Sequence, residues 1–307
     1  RTCAQGPLCA RLMLQVLVLL LFAAHGSAAP PCPSVAVCQQ RDVPCHELHG
    51  WYPGSAGVNG ADNDDDYNDD NDDDDDKLCH LVNCSGRAAE LRGEIPCDLP
   101  DNTTFLLLAD IGMTNDVSFP TLRDRVPSLF CHTVLACSPP IGLLDLRGNN
   151  ISAVESLADP GLFWQNASEL FATLDLSRNA IGALQSGVFG SAIINGDLIL
   201  SDNNIGIVDS NAFQNCNIAG SLDLSTNRIT AINGNAFAGA YIFHNMDLTG
   251  NHNMVLQPTA FSQATIRNNL DLSNNNIASV ESNAFSGTTV AGNLYLSGNN
   301  ITTLESN

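Results

Sequence analysis

The sequence predicts an α/β solenoid, with a curved parallel β-sheet along a concave face and a mostly irregular or short helical convex side. Three observations predict it. Asn179, Asn203, Asn227, Asn251, Asn275 and Asn299 stand 24 residues apart without a slip, and Asn149 precedes the first of them by 30. An alternating apolar pair comes before each asparagine: Leu144/Leu146, Leu174/Leu176, Leu198/Leu200, Leu222/Leu224, Met246/Leu248, Leu270/Leu272 and Leu294/Leu296. Two more columns keep the same step. Ile151, Ile181, Ile205, Ile229, Ile277 and Ile301 follow the asparagines, with Asn253 as the one break, and Phe189, Phe213, Phe237, Phe261 and Phe285 come later in the unit. A fixed period of this length means a stack of similar units rather than one globular core.

Each column has a physical task. Strict alternation around the leucines marks a short half-buried strand. Units of equal length set these strands side by side in parallel, and each unit's leucines are covered by its neighbours. The phenylalanines are expected to stack on one another along the far side. The asparagines sit where the chain leaves the strand. There an inward amide can bond backbone groups of its own and the next turn that would otherwise be buried unpaired.

The rule L-x-L-x-x-N-x-I, with "NAF" near the end of each unit, resembles the extracellular leucine-rich repeat family, including Toll-type and Slit-type proteins. The resemblance implies a leucine-rich repeat solenoid over residues 105–307, closed at its start by an N-terminal disulfide cap over residues 29–104. It also implies a role in protein recognition.

Residues 1–28 read as a secretory signal peptide. Leu12 to Ala24 is almost wholly apolar, and the small residues Gly26, Ser27, Ala28 and Ala29 follow. The apolar core is too short for a membrane span. The chain is expected to be extracellular, secreted or at the cell surface. With no initiator Met and a stop at Asn307 inside a repeat, both ends are expected to be incomplete. Membrane attachment would come through a span beyond residue 307.

Of eleven cysteines, nine lie after the leader. In an oxidising compartment Cys32, Cys38, Cys45, Cys79, Cys84 and Cys97 read as a disulfide framework whose pairing the sequence leaves open. The stretch from Cys84 to Leu108, "CSGRAAELRGEIPCDLPDNTTFLLL", looks like the N-terminal cap of the extracellular family, with Ile95-Pro96, Leu99-Pro100 and Thr103 in place. Cys97 and the insert before Cys79 depart from that pattern. A cap is needed because the first strand would otherwise expose an apolar flank and an unpaired edge.

Within the cap, residues about 53–77 form an acidic insert whose core, Asp62 to Asp76, is nearly all Asp and Asn. Self-repulsion and the lack of apolar residues predict a disordered loop. It lacks the glycine turn and terminal glutamate of a calcium loop, so no rigid cage is specified. Cys45, His46, His49, Cys79 and His80 could be assembled into a zinc site on paper, but disulfides compete for the same sulfurs. No metal or cofactor is expected.

The first repeat is atypical, with Ile111 in the asparagine place and Met113 in the isoleucine place. Cys131 and Cys137 lie in the irregular piece that follows and are candidates to pair with each other. Cys216 stands in a column otherwise filled by Ala192, Ala240, Ala264 and Thr288, which predicts a buried free thiol. Asn102, Asn150, Asn166 and Asn300 open glycosylation sequons, and Asn150 and Asn300 directly follow ladder asparagines at an outward position.

Ligand-binding candidates lie between the strand leucines: Asp145, Asp175, Asp223, Asp247, Asp271 and Tyr295, with Ile199 interrupting. Parallel pairing would set Asp223, Asp247 and Asp271 about 4.8 Å apart as an acidic stripe ending at Tyr295. The expected partner is a basic protein or peptide. No phosphate loop, zinc-protease or nucleophile-elbow motif is present, so no catalytic residue is assigned and no enzyme activity is expected. Nucleic-acid binding is opposed by the net charge of −21 and by Lys77 being the only lysine. The readings are thus the recognition ectodomain of a receptor or a secreted binder, or, as the alternative, a matrix or adhesion protein of the small leucine-rich proteoglycan kind.

Overall fold

The computed structural model of the chain describes residues 35–44, 78–87, 103–113, 141–154 and 171–304. The leader, the acidic insert, Cys32, Cys45, Cys97, Cys131, Cys137, Asn102 and Asn166 lie outside these residues.

The L-x-L segments build the main sheet. It begins with β1 (Gln39–Pro44), β2 (Leu78–Asn83), β3 (Thr103–Leu107), β4 (Ile141–Asp145) and β5 (Phe171–Asp175). Five two-residue strands follow: Leu198–Ile199, Leu222–Asp223, Met246–Asp247, Leu270–Asp271 and Leu294–Tyr295. Together they form one ten-stranded sheet in chain order. Only β1 runs antiparallel to its neighbour β2. A disulfide joins Cys38, just before β1, to Cys84, just after β2. Cys79, another of the cysteine candidates, lies within β2.

The opposite side differs from the expectation of irregular or short helical structure. The only helix among the described residues is the short 3-10 turn Val35–Val37, so the α component of the expected α/β class finds no α-helix there. Two further parallel sheets stand in its place. A six-stranded sheet runs from Ala183–Leu184 to Thr303–Leu304, and a five-stranded sheet from Ile193–Ile194 to Thr289–Val290. The physical reason lies in the turns. Asn211, Asn235 and Asn283 of the "NAF" phrase take positive φ, as do Ser191, Asn215 and Gln263 four residues after that position in their units. A left-handed residue every few positions stops an α-helix before it can nucleate. The inward apolar residues in this half are isolated, with Val208 and Ile218 each fully buried.

The core is columnar. Leu198, Leu200, Leu222, Leu224, Met246, Leu248, Leu270 and Leu272 are all 0 % exposed. The rings of Phe189, Phe213, Phe237, Phe261 and Phe285 stack in series with centroids 4.9–5.1 Å apart and planes within 13° of parallel. Identical side chains repeated at strand spacing can pack in no other way, and each such pair adds about 0.5–1.5 kcal/mol beyond burial.

The asparagine side chains tie successive turns together. Asn227 accepts from the Ile205 N–H at 3.1 Å, and its amide donates to the carbonyls of Leu200, Leu224 and Ser225 at 2.9–3.1 Å. Asn149, Asn179, Asn203 and Asn251 likewise bond a carbonyl of their own strand and one of the strand before. Asn299 does the same, while Asn275 donates to its own Leu272. The side chain therefore reaches back to the preceding turn, not forward as expected. The reason is that the free carbonyl and N–H at this corner belong to the turn already laid down. Asn149 shows it best: it accepts from Ile111 and Met113, the residues occupying the degenerate first repeat.

The break at Asn253 is absorbed by a one-residue shift. Asn253 takes a φ of 52° and stays exposed, and Met254 enters the core in its place with 1 % exposure.

Replacing Asn227 by Leu preserves bulk and leaves the buried Ile205 N–H without its acceptor, while the Leu200 and Leu224 carbonyls keep the amides of Asn203 and Asn251 and the Ser225 carbonyl keeps the Asp202 N–H. The expected loss in unfolding free energy is about 1–3 kcal/mol for that one stranded group. The same change at neighbouring, exposed Asn204 is expected to stay within about 0.5 kcal/mol. Chemical denaturation of both variants checks this.

Candidate functional site

The outward residues of the main sheet form the site. Pairing is in register along the column: Asp145 with Asp175, then Asp175 with Ile199, Ile199 with Asp223, Asp223 with Asp247, Asp247 with Asp271 and Asp271 with Tyr295. The two ends of the column differ sharply in exposure.

At the N-terminal end, outside the expected stripe, the two aspartates of the column are covered and do not face solvent. Asp145 and Asp175 are each only 1 % exposed. Arg147 lies over both, with a nitrogen 2.8 Å from the Asp145 carboxylate and Nε 3.6 Å from that of Asp175. The guanidinium contacts both Asp145 oxygens. One guanidinium offsets one of the two carboxylate charges and both carboxylates are buried, so this end exposes little negative charge. The residue that does this, Arg147, stands where the other units carry Ser or Thr.

At the C-terminal end Asp223, Asp247 and Asp271 are half-buried and Tyr295 is 43 % exposed. Each aspartate uses one oxygen to accept a backbone N–H two residues on, from Ser225, Thr249 and Ser273 at 2.8–2.9 Å. Asp175 does the same with Ser177. The aspartate thus closes an Asx turn where the strand ends. The side-chain hydroxyl of Thr249 also bonds the Asp247 carboxylate, and all three aspartates remain half-buried. Burial pushes the Asp247 carboxyl up from its ordinary range, against the bonds from Thr249, and the charges of Asp223 and Asp271 push the same way.

A second polar column borders this face and was missed. Asp197, Ser221, Asn245, Asn269 and Asn293 stand one residue before the two-residue strands, and Thr173 takes the matching place inside β5. Ser221 N–H donates to Asp197 at 2.7 Å, Asn269 N–H to Asn245 at 3.2 Å and Asn293 N–H to Asn269 at 2.8 Å. Asn293 also donates to the Tyr295 hydroxyl at 3.1 Å, which fixes the ring beside the stripe. The signal was available: a run of short polar residues at the same period.

Elsewhere, Cys216 is buried and free, and burial pushes its thiol up to about 12, so it is not poised as a nucleophile. On the five-stranded sheet Phe243 is 45 % exposed, with Arg267 5.9 Å above its ring. Asn150 and Asn300 are both exposed. Among the described residues no cluster of His, Cys, Asp or Glu could hold a metal ion, and no helix is long and apolar enough to cross a membrane.

Comparison with known families matches residues 184–307 to the BspA type leucine rich repeat region, in six copies. No curated protein matches the chain. The repeats and the parallel solenoid together support a leucine-rich repeat protein. Such repeats commonly serve as protein-binding modules and typically as non-enzymatic scaffolds.

Burial raises the Asp175 carboxyl from 3.8 to about 6. The folded state then holds a proton that the unfolded chain has released, so stability is greatest below the unfolded value and falls as pH rises between the two. That interval is worth on the order of 3 kcal/mol. In Asp175→Asn, which keeps the acceptor for Ser177, the decline between about pH 4 and 6 is expected to shrink. Urea unfolding of both proteins across this range measures it.

Proposed function

We propose that this chain is an extracellular protein-recognition module, the ligand-binding ectodomain of a cell-surface receptor or a secreted binder. It takes a basic protein or peptide segment along the C-terminal part of the main sheet. One observation carries this reading: Asp223, Asp247 and Asp271 stand in direct register, half-exposed, with Tyr295 fixed at the end. Like charges at strand spacing repel, and the Asp247 carboxyl, raised first by burial, is raised further by the charges of Asp223 and Asp271. A lysine or arginine laid across the row would relieve that repulsion while leaving the turn-closing oxygens in place. The ring of Tyr295 adds an apolar and cation-binding surface next to them.

The extracellular part of the reading is supported by the apolar leader over residues 1–28 and by the Cys38–Cys84 bridge, since disulfides persist in oxidising compartments. The receptor or secreted-binder part rests on the sequence resemblance to extracellular repeat proteins. The bridge and the antiparallel β1–β2 pair at the end of the sheet fit the role of a cap, which leaves no apolar flank bare at the first parallel strand.

The test uses a lysine-rich peptide bearing a photoreactive benzophenone. Crosslinks are expected in the segments holding Asp223, Asp247, Asp271 and Tyr295. The triple variant Asp223→Asn, Asp247→Asn, Asp271→Asn keeps each Asx acceptor and is expected to lose those crosslinks and at least tenfold in affinity at that face. Undiminished crosslinking to these segments in the folded variant would sink the proposal.

A further inference from the structure

The position just after each ladder asparagine forms a column of its own: Asn150, Ala180, Asn204, Arg228, His252, Asn276 and Asn300. All are exposed except half-buried Ala180. Their backbone is held by the stack: Asn150, Asn204 and Asn300 donate their N–H groups to the carbonyls of Met113, Ile181 and Ile277 in the preceding turn. The backbone is thus fixed at these three corners with the asparagines exposed, whereas Asn276 takes a positive φ and donates its side-chain amide to Asn253. Four of the seven carry an asparagine, but a hydroxyl stands two residues on only at Ser152 and Thr302. Ser152 and Thr302 are themselves exposed.

We infer that Asn150 and Asn300 are N-glycosylation sites, and that Asn204, alike in exposure and placement, stays bare. This rests on the extracellular reading above, since the modification needs entry into the secretory route. In the reaction the asparagine amide nitrogen attacks the anomeric carbon of a polyisoprenyl-diphosphate-linked oligosaccharide. The new N–C bond replaces the anomeric C–O bond, the polyisoprenyl diphosphate leaves, and the amide gives one proton to a base of the transferase. The motif requires the hydroxyl two residues on. The fold decides whether the bulky product fits, and it fits here because the side chain points away from both neighbouring turns. Ile151 beside Asn150 faces the core with 0 % exposure, which holds the asparagine outward.

The two sites lie six strand steps apart along the main sheet, about 29 Å at strand spacing. The glycans therefore bracket the corner next to the acidic row and leave the stretch between them uncovered.

The full chain is expressed in a glycosylating host, once with its own N-terminal segment and once behind an added cleavable secretion leader. Deglycosylation in heavy-oxygen water followed by peptide mass analysis marks each occupied asparagine. Expected are occupied Asn150 and Asn300 and unmarked Asn204. Thr302→Val should empty Asn300 alone, and Gly206→Thr, where an added Cβ meets only the Gly182 carbonyl at 3.7 Å, should add a glycan at Asn204. Bare Asn150 and Asn300 in chain secreted by either leader overturns the inference and leaves the binding proposal standing. Occupancy seen only with the added leader supports the sites and contradicts the extracellular reading instead. A bare Asn204 in secreted Gly206→Thr overturns the claim that column position and hydroxyl together decide occupancy.

Discussion

The buried amide of the ladder asparagine is the interaction on which the rest of this structure depends. At each corner the chain turns out of its strand, and the backbone groups there lose their sheet partners while staying inside. An asparagine supplies an acceptor and two donors at one point. In Asn203 the acceptor takes Ile181 N–H and the donors reach Leu176 and Leu200 carbonyls, so one side chain closes two turns. The stack can grow by identical steps only because this closure repeats. Register follows from it, and register in turn places the leucine, isoleucine and phenylalanine columns on top of one another.

The surface inherits the same periodicity. An aspartate between two strand leucines serves the scaffold with one oxygen. Where an arginine replaces the usual serine, as at Arg147, the second oxygen is also used up and the face becomes closed. Where Ser225, Thr249 and Ser273 stand, the carboxylates stay partly open. Exposure along this column is therefore set by the residue two places after each aspartate, in its own unit or, as Arg147 does over Asp175, in the unit before. The half-buried position also explains why Asp247 holds its proton more firmly than a free carboxyl.

Much of the fold was legible because the period is strict. The strand, core and aromatic columns could be placed from spacing alone. What escaped had non-periodic or conformational causes. The burial of Asp145 and Asp175 depends on the single residue Arg147, which no column predicts. The two additional sheets depend on positive φ at residues such as Ser191, Asn215 and Gln263, whose side chains do not announce it. The backward reach of the asparagines depends on which corner groups lack partners, a property of the stacked chain and not of one unit. The column from Asp197 to Asn293 was legible in principle, but its mixture of Asp, Ser and Asn hid a shared task as acceptors.

The measurement that tests this account most directly is native-state hydrogen exchange at the amides of Ile181, Ile205 and Ile229. These lie outside the strands and donate to Asn203, Asn227 and Asn251 side chains. If the asparagine ladder couples the turns, they exchange as slowly as Leu200 and Leu224 within the main sheet's hydrogen-bonded ladder. Exchange at the rate of an unfolded chain, with those neighbours still protected, would contradict it.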